Sequence, residues 1–319
     1  MPALSDTPDL SVVVVTHNGR DLALDTLRSA RGAVRSVAAE WLVVDSGSSD
    51  DTADTVEREL SDVLVLRQPN IGFAAANNVA LARARGRYVL LLNPDVAVAE
   101  GMLDDLVEAL DRRPAVGAAS VVHRATDGSL QPSARRFPSP LRELTEALHL
   151  SRLRAVRRLG LVDAVEADGA RERSVDWLVG AFLAVRREAL DEVGGLDERF
   201  FLYSEEKDWC FRIKAAGWDV RHLPVMTIVH HCGGYDRPEL RAQLTYSKLL
   251  FAQKHLGPVR RVGYRGALGF KHLLRLVAFA PVAARPRART RLRGELAALR
   301  LVLGAGDPPM HGKEHLVRP

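Results

Sequence analysis

The residues best suited to chemistry in this 319-residue chain are carboxylates and histidines that follow apolar runs. Asp95 closes the run LLLNPDV at 90–96, where Pro94 ends the strand signal of Tyr88–Leu92. A carboxylate fixed there can hold a divalent cation against phosphate oxygens; the alternative is an ordinary strand-ending turn. Asp45 ends a second apolar run, WLVVD. It can accept hydrogen bonds from a ribose or a base edge, or serve the Ser46–Asp50 turn as a cap. Asp197, Glu198, Glu205, Glu206 and Asp208 form an acidic cluster. If Ser204 caps a helix starting at Glu205, then Glu205 and Asp208 share a face and Glu206 points about 100° away. A carboxylate so placed can act as a general base, and it also favours the helix dipole. His230 and His231 follow the strand-like run Val225–Val229, where an imidazole can ligate a metal or hydrogen-bond within a loop. Arg135 and Arg136, set among Pro132, Pro138 and Pro140, read as a surface loop able to grip phosphate, or as two solvated side chains.

These groups need a scaffold that gathers strand ends, and the first hundred residues supply its pattern. LSVVVVT at 10–16, WLVVD at 41–45, Val63–Arg67 and Tyr88–Leu92 read as buried strands. Helix patterns separate them over 21–34, up to Leu60, and near 74–85. The βαβαβαβ order predicts an α/β three-layer sandwich around a mostly parallel central sheet. Such sheets bind ligands at the carboxyl ends of their strands, here Thr16-His17-Asn18, Asp45-Ser46-Gly47 and Asn93-Pro94-Asp95. No G-x-G-x-x-G follows the first strand and no G-x-x-x-x-G-K-[ST] occurs, which removes dinucleotide dehydrogenases and P-loop enzymes.

Composition bounds the remaining choices. With 47% hydrophobic and 27% charged residues the chain reads as globular, and two cysteines make neither a disulfide framework nor a zinc site. MPALSDTPDL lacks the basic and apolar regions of a signal peptide, and no apolar run approaches the roughly 18–20 residues of a spanning helix. A cytoplasmic protein is expected. Its charge is divided unevenly. Lys254–Pro319 holds 14 Lys+Arg against 3 Asp+Glu, whereas residues 1–253 hold 31 against 37. The basic tail suits an anionic partner, nucleic acid or anionic lipid, or forms solvated helices that bind nothing specific.

Taken in order, seven segments carry a resemblance. They are VVVVTHNG at 12–19, VVDSGSSDDT at 43–52, NIGFAAANNVAL at 70–81, LLLNPDV at 90–96, WLVGAFLAVRREAL at 177–190, GGLDERFFLYSEEKDWCFR at 194–212 and VHHCGG at 229–234. Together they resemble glycosyltransferase family 2, inverting enzymes of the GT-A fold, and within it the rhamnosyltransferase-like subgroup. The resemblance covers about Leu10 to Gly257 and implies a nucleotide-sugar-binding half over 8–120 and an acceptor-binding half over 121–257; beyond it, apolar clusters interleaved with Lys271 and Arg275 read as a basic amphipathic helical extension over 258–319.

The same resemblance implies roles for individual residues. Thr16, Asn18 and Asp45 would line the nucleotide pocket. Asn70, Gly72, Phe73, Asn77 and Asn78 would shape the sugar side, in a pattern similar to users of dTDP-rhamnose. Asp95 corresponds to the last acid of the family's D-x-D element and would hold Mg²⁺ or Mn²⁺ on the diphosphate, with His230, or in second place His231, completing the site. Asn93 stands where the first acid would be. Trp177, Gly180 and Ala181 would face the acceptor, with Arg135 and Arg136 as further contacts. The family's general base is an Asp at the position of Glu206, so Glu206 is the first choice of base, Glu205 the second and Asp208, as a loop anchor, the third. The implied reaction moves a sugar, L-rhamnose first, from a nucleotide diphosphate to a glycan or a polyprenyl-diphosphate-linked sugar in cell-wall or surface-polysaccharide assembly. The tail would then lie on the inner face of the plasma membrane, or pack as a helical cap or dimer contact, and nucleic acid is not an expected partner. The alternatives are transfer of another hexose, a GT-A scaffold that binds without transferring, and a sugar nucleotidyltransferase.

Overall fold

The computed structural model describes residues 7–165, 171–231, 237–306 and 309. The chain begins with β1 (Leu10–Thr16), α1 (Arg20–Gly32), β2 (Ala39–Ser46), α2 (Thr52–Glu59), β3 (Val63–Gln68), α3 (Phe73–Leu81) and β4 (Tyr88–Leu92). Next come β5 (Val96–Ala97), α4 (Met102–Asp111), β6 (Val116–Arg124), β7 (Leu130–Gln131), β8 (Ala134–Arg135), α5 (Pro140–Ala147) and α6 (Arg154–Arg158). They are followed by β9 (Arg173–Ser174), β10 (Trp177–Leu178), β11 (Phe182–Arg186), α7 (Arg187–Val193), α8 (Glu205–Ala215) and β12 (Asp219–His230). The last helices are α9 (Pro238–His255), α10 (Pro258–Phe279) and α11 (Pro286–Leu303).

The described residues divide into two compact units. One draws on Met1–Arg135, Glu166–Arg199 and Glu206–Cys232, the other on Arg136–Val165, Phe200–Glu205 and Gly233–Pro319. The first is built on a sheet of order β3-β2-β1-β4-β11-β6-β12-β5. β1 and β4 are buried along their whole length, which is why LSVVVVT and YVLLL are continuous apolar runs without alternation. β3, at the sheet edge, is more open. Leu10, Val12, Val14, Val43, Leu90 and Leu92 share one core, and each such side chain contributes about 1.5–3 kcal/mol on burial.

β1, β2, β3 and β4 run parallel, with Thr16 level with Asp45 and Val14 level with Leu92. β11 then enters antiparallel between β4 and β6, so the sheet is mixed where the early βα pattern continues as parallel. This reversal puts the start of β11, Phe182 opposite Leu92, at the same edge as the ends of β1, β2 and β4. β12 is parallel to β6 and brings His230 to that edge as well.

Two local expectations are corrected. Arg135 lies in β8, paired with Trp177 of β10, and not in a surface loop, because a two-residue bridge to a distant segment leaves no periodic signal. The strand read as Val225–Val229 starts at Asp219; Pro224 falls in a register irregularity between His222 and Thr227, where a missing N–H is tolerated. The Cys232-Gly233-Gly234 portion of VHHCGG, and part of the acidic segment 163–172, lie outside the described residues.

Candidate active site

Thr16 and Asp45 end adjacent parallel strands and are both buried. Asp45 Oδ2 accepts from the Ser48 N–H at 3.2 Å, whereas Asp45 Oδ1 and Thr16 Oγ1 are buried without a hydrogen-bond partner. Orphaned polar atoms of this kind cost stability unless a ligand completes them. Asn18 is committed differently. It adopts a left-handed φ of 48°, its Oδ1 accepts from the Ser49 N–H at 2.7 Å, and its own N–H donates to Ser48 Oγ. It thus clamps the loop after β2 onto the end of β1. An open depression of about 430 Å³ lies beside it, bordered by Asn18, Gly19, Arg20, Asp50 and Asp51, but Thr16, Asp45 and Asp95 do not line it.

The Asn93-Pro94-Asp95 turn is held from two sides. The Asn93 N–H donates to Ala181 O at 2.9 Å, and the His231 N–H donates to Asp95 O at 2.9 Å. β5 pairs with the end of β12, Val96 opposite His230, which brings the His230 ring to Asp95. His230 Nε2 lies 3.4 Å from Asp95 Oδ1, and that oxygen is buried with no hydrogen-bond partner. Gln131 of β7 fixes the ring: its Nε2 donates to His230 O and its Oε1 lies 3.0 Å from His230 Nδ1. With Nδ1 turned to Gln131, Nε2 faces the Asp95 carboxylate oxygen. A nitrogen and an oxygen at that distance leave room for a cation between them. One imidazole nitrogen and one carboxylate oxygen are donor types that Mn²⁺ or Mg²⁺ would accept. No group of three or more His, Cys, Asp and Glu side chains forms a site among the described residues. The side chain of His231 is exposed. Sequence reasoning missed Gln131, since a lone glutamine in a two-residue strand carries no signal.

The acidic cluster is sorted by its partners. Asp197 pairs with Arg199 at 2.6 Å, and Glu198 accepts from Asn78 Nδ2 at 2.9 Å. Asp208, fully buried, pairs with Arg212, which also donates to Val193 O and Gly195 O and so ties α8 to the loop before it. Glu205 is buried at the first position of α8. Glu206 Oε2 is buried with no hydrogen-bond partner. Burial raises the pKa of Glu206, and the positive charges of Lys207 and Arg135 oppose that shift.

Residues expected to contact an acceptor surround this carboxylate. Gly180 lies beside the stem of Glu206: an added Cβ would stand 3.5 Å from Glu206 Cβ, an ordinary contact. Arg135 and Trp177 are directly opposed in the β8–β10 pair, and Lys207 Nζ lies 4.6 Å from the Trp177 ring centre. Ala181 is buried next to Asn93. Arg136 belongs to the other unit, where its N–H donates to Asp163 O. One turn further along α8, burial and the charge of Glu206 push the Cys210 thiol up to about 12, which makes it a poor nucleophile.

The asparagines of NIGFAAANNVAL differ in use. Asn77 is buried and donates to Phe73 O, and Asn70 Oδ1 accepts from the N–H of Gly72, whose φ of 93° starts α3. Asn78 is a clamp: it exchanges hydrogen bonds with both the N–H and the C=O of Leu196. A Cβ on Gly195 would fall 2.5 Å from Asn78 Oδ1. Gly195→Ala is therefore expected to cost about 1–3 kcal/mol by breaking that clamp, measured as a shift of the urea midpoint at unchanged slope.

Residues 11–194 match the profile of Glycosyl transferase family 2. The chain is 32% identical over 289 residues to the N-acetylglucosaminyl-diphospho-decaprenol L-rhamnosyltransferase of Mycobacterium tuberculosis, covering 84% of this chain and 93% of that one. Its fold is similar to that of the mannosyltransferase PcManGT from Pyrobaculum calidifontis, solved with GDP-Man and Mn²⁺. The TM-score is 0.58 at 20% identity, over 94% of this chain and 88% of that one. It is also similar to GalNAc-T7 solved with UDP, GalNAc and Mn²⁺, with a TM-score of 0.57 at 15% identity, over 96% and 56% of the two chains. The α/β architecture is thus the GT-A fold.

Proposed function

The chain belongs to glycosyltransferase family 2, and on that premise we propose that it transfers L-rhamnose from dTDP-L-rhamnose to a polyprenyl-diphosphate-linked amino sugar, inverting the anomeric centre. One observation carries the reaction. Thr16, Asp45, Asp95 and Glu206 each present a buried oxygen without a hydrogen-bond partner, and the first three stand at the carboxyl ends of the parallel strands. The choice of sugar and acceptor is supported by the relative of 32% identity.

Thr16 and Asp45 hold the nucleoside, Asp45 through its open oxygen. Asn70, Gly72, Phe73 and Asn78 shape the sugar side. Asp95 and His230 would hold a divalent cation, which would offset charge on the nucleoside diphosphate. Trp177, Gly180, Ala181 and Arg135 seat the acceptor against Glu206. Glu206 takes the proton of the acceptor hydroxyl as its oxygen bonds to the sugar C1 and the C1–O bond to the diphosphate breaks on the opposite face. The raised pKa of Glu206 suits this work, since a stronger base accepts the proton more readily.

Incubation with dTDP-rhamnose, UDP-glucose or GDP-mannose and N-acetylglucosaminyl-diphospho-polyprenol tests the donor and acceptor. Product is expected with dTDP-rhamnose alone; turnover of another sugar nucleotide with dTDP-rhamnose inert would contradict the reading.

Gln131 positions the metal-facing histidine in this scheme. Gln131→Leu frees the His230 ring and is expected to weaken Mn²⁺ binding in the presence of dTDP by roughly 10- to 100-fold. Electron paramagnetic resonance of free Mn²⁺ measures this without turnover. Unchanged affinity would remove Gln131 from the site.

Among the described residues no helix is long and apolar enough to cross a membrane. In this reading the basic extension is the contact with the membrane surface that carries a lipid-linked acceptor.

A further inference from the structure

Helix α10 is built inside out. In its second half the ionisable side chains turn into the helical unit: Lys271, buried, donates to Glu143 at 2.5 Å and to Glu146, while His272 pairs with Glu295 at 2.6 Å. Arg275 reaches Glu295 at 3.4 Å. On the same side Tyr264, Ala267 and Leu268 are buried. The opposite face is apolar and open. Val259 is 87% exposed, Val277 is 65% exposed, and Val262, Phe270 and Leu273 are also exposed. Their spacing of three, eight, three and four residues puts all five on one stripe of an α-helix, with Gly263 and Gly266 in the gaps. A helix that only capped its domain would present these faces the other way round.

The surroundings of the stripe have one sign of charge. α10 contains no Asp or Glu, and the single acid of α11, Glu295, is fully buried and paired with Arg241, His272 and Arg275. Arg260, Arg261 and Arg265 are exposed on α10, and Arg287, Arg289 and Arg293 on α11. An apolar strip on a helix pair that carries exposed arginines and, among the described residues of α10 and α11, no exposed acid complements a surface that is apolar beneath and anionic above.

We infer that the outer face of α10, Val259, Val262, Phe270, Leu273 and Val277, is a docking surface for an anionic lipid bilayer. The aliphatic and aromatic side chains enter the boundary between headgroups and acyl chains, and the arginines meet the phosphates. This deepens the lipid-linked acceptor reading and rests on it for its purpose, but it is measured without donor or acceptor. A failure of lipid binding is thus separable from a failure of rhamnosyl transfer.

The test is flotation of the full chain with vesicles of phosphatidylcholine alone or of equimolar phosphatidylcholine and phosphatidylglycerol. The wild-type chain is expected to float with the anionic vesicles and to be released as salt rises. The double variant Leu273→Asn/Val277→Asn is expected to keep its thermal unfolding midpoint, because both side chains are exposed, and to lose at least about tenfold in partitioning. Equal flotation of both forms would overturn the proposal, as would failure of the wild type to float. Self-association of the wild type that the double variant abolishes, without flotation, would assign the face to a second copy of the chain.

Discussion

Asp95→Ala is expected to lower the transfer rate by roughly 10²- to 10³-fold while leaving the fold intact. Of the two oxygens that the substitution removes, the buried Oδ1 makes no hydrogen bond, and the backbone carbonyl that accepts from the His231 N–H remains. Stability therefore does not fall by more than the small effect of a changed turn residue, and relief of an unsatisfied buried oxygen works the other way. Function loses much more. Without the carboxylate, the 3.4 Å pairing with His230 Nε2 is lost, and with it one of the two groups proposed to hold the cation that would offset charge on the departing diphosphate. Initial rates at saturating Mn²⁺, alongside thermal unfolding, check both halves. A variant that keeps full activity would remove Asp95 from the site, and one that unfolds would recast it as structural.

Glu206→Gln is expected to reduce kcat by roughly 10²- to 10⁴-fold, the usual worth of a positioned general base. Its other effect has the opposite sign. Burial raises the Glu206 pKa in the folded chain above its unfolded value, so the carboxyl contributes most to stability at low pH, where it is neutral in both states. That contribution is lost as pH rises through the folded pKa. The glutamine variant is therefore expected to melt above the wild type at neutral pH, with the difference shrinking on acidification. In the wild type the acid limb of kcat/KM against pH should lie above the ordinary glutamate range, for the same reason. A purely structural Glu206 would give a less stable variant and no such limb.

Much of this site is legible in the chain, and the reason is local. β1, β2 and β4 are buried on both faces, so each is a continuous apolar run, and the polar residue that stops it must sit at the strand end. Asp45 and Asp95 are found that way. The start of α8 at Glu205 is likewise written in the residues around it. What is missed depends on distant partners. β11 inserts antiparallel because of what flanks β4 in space, Gln131 matters only once β12 brings His230 beside it, and Arg135 becomes a strand residue only by pairing with Trp177. Asp208 looks like a third candidate base until Arg212 is seen to hold it against the Val193–Gly195 loop. The inverted burial of α10 is hidden for the same reason: its periodicity gives an apolar stripe, but only Glu143 and Glu295 on neighbouring helices show which side faces in.

The central claim is that the open oxygens of this sheet edge and Glu206 form one inverting transferase site. Proton NMR of the product made from dTDP-rhamnose and a lipid-linked acceptor tests it most directly, with the wild type and Glu206→Gln run side by side. The expected result is a new glycosidic bond whose anomeric configuration is opposite to that of the donor, formed by the wild type and suppressed in the variant. Retention of configuration, or the same product formed at an equal rate by Glu206→Gln, would contradict it.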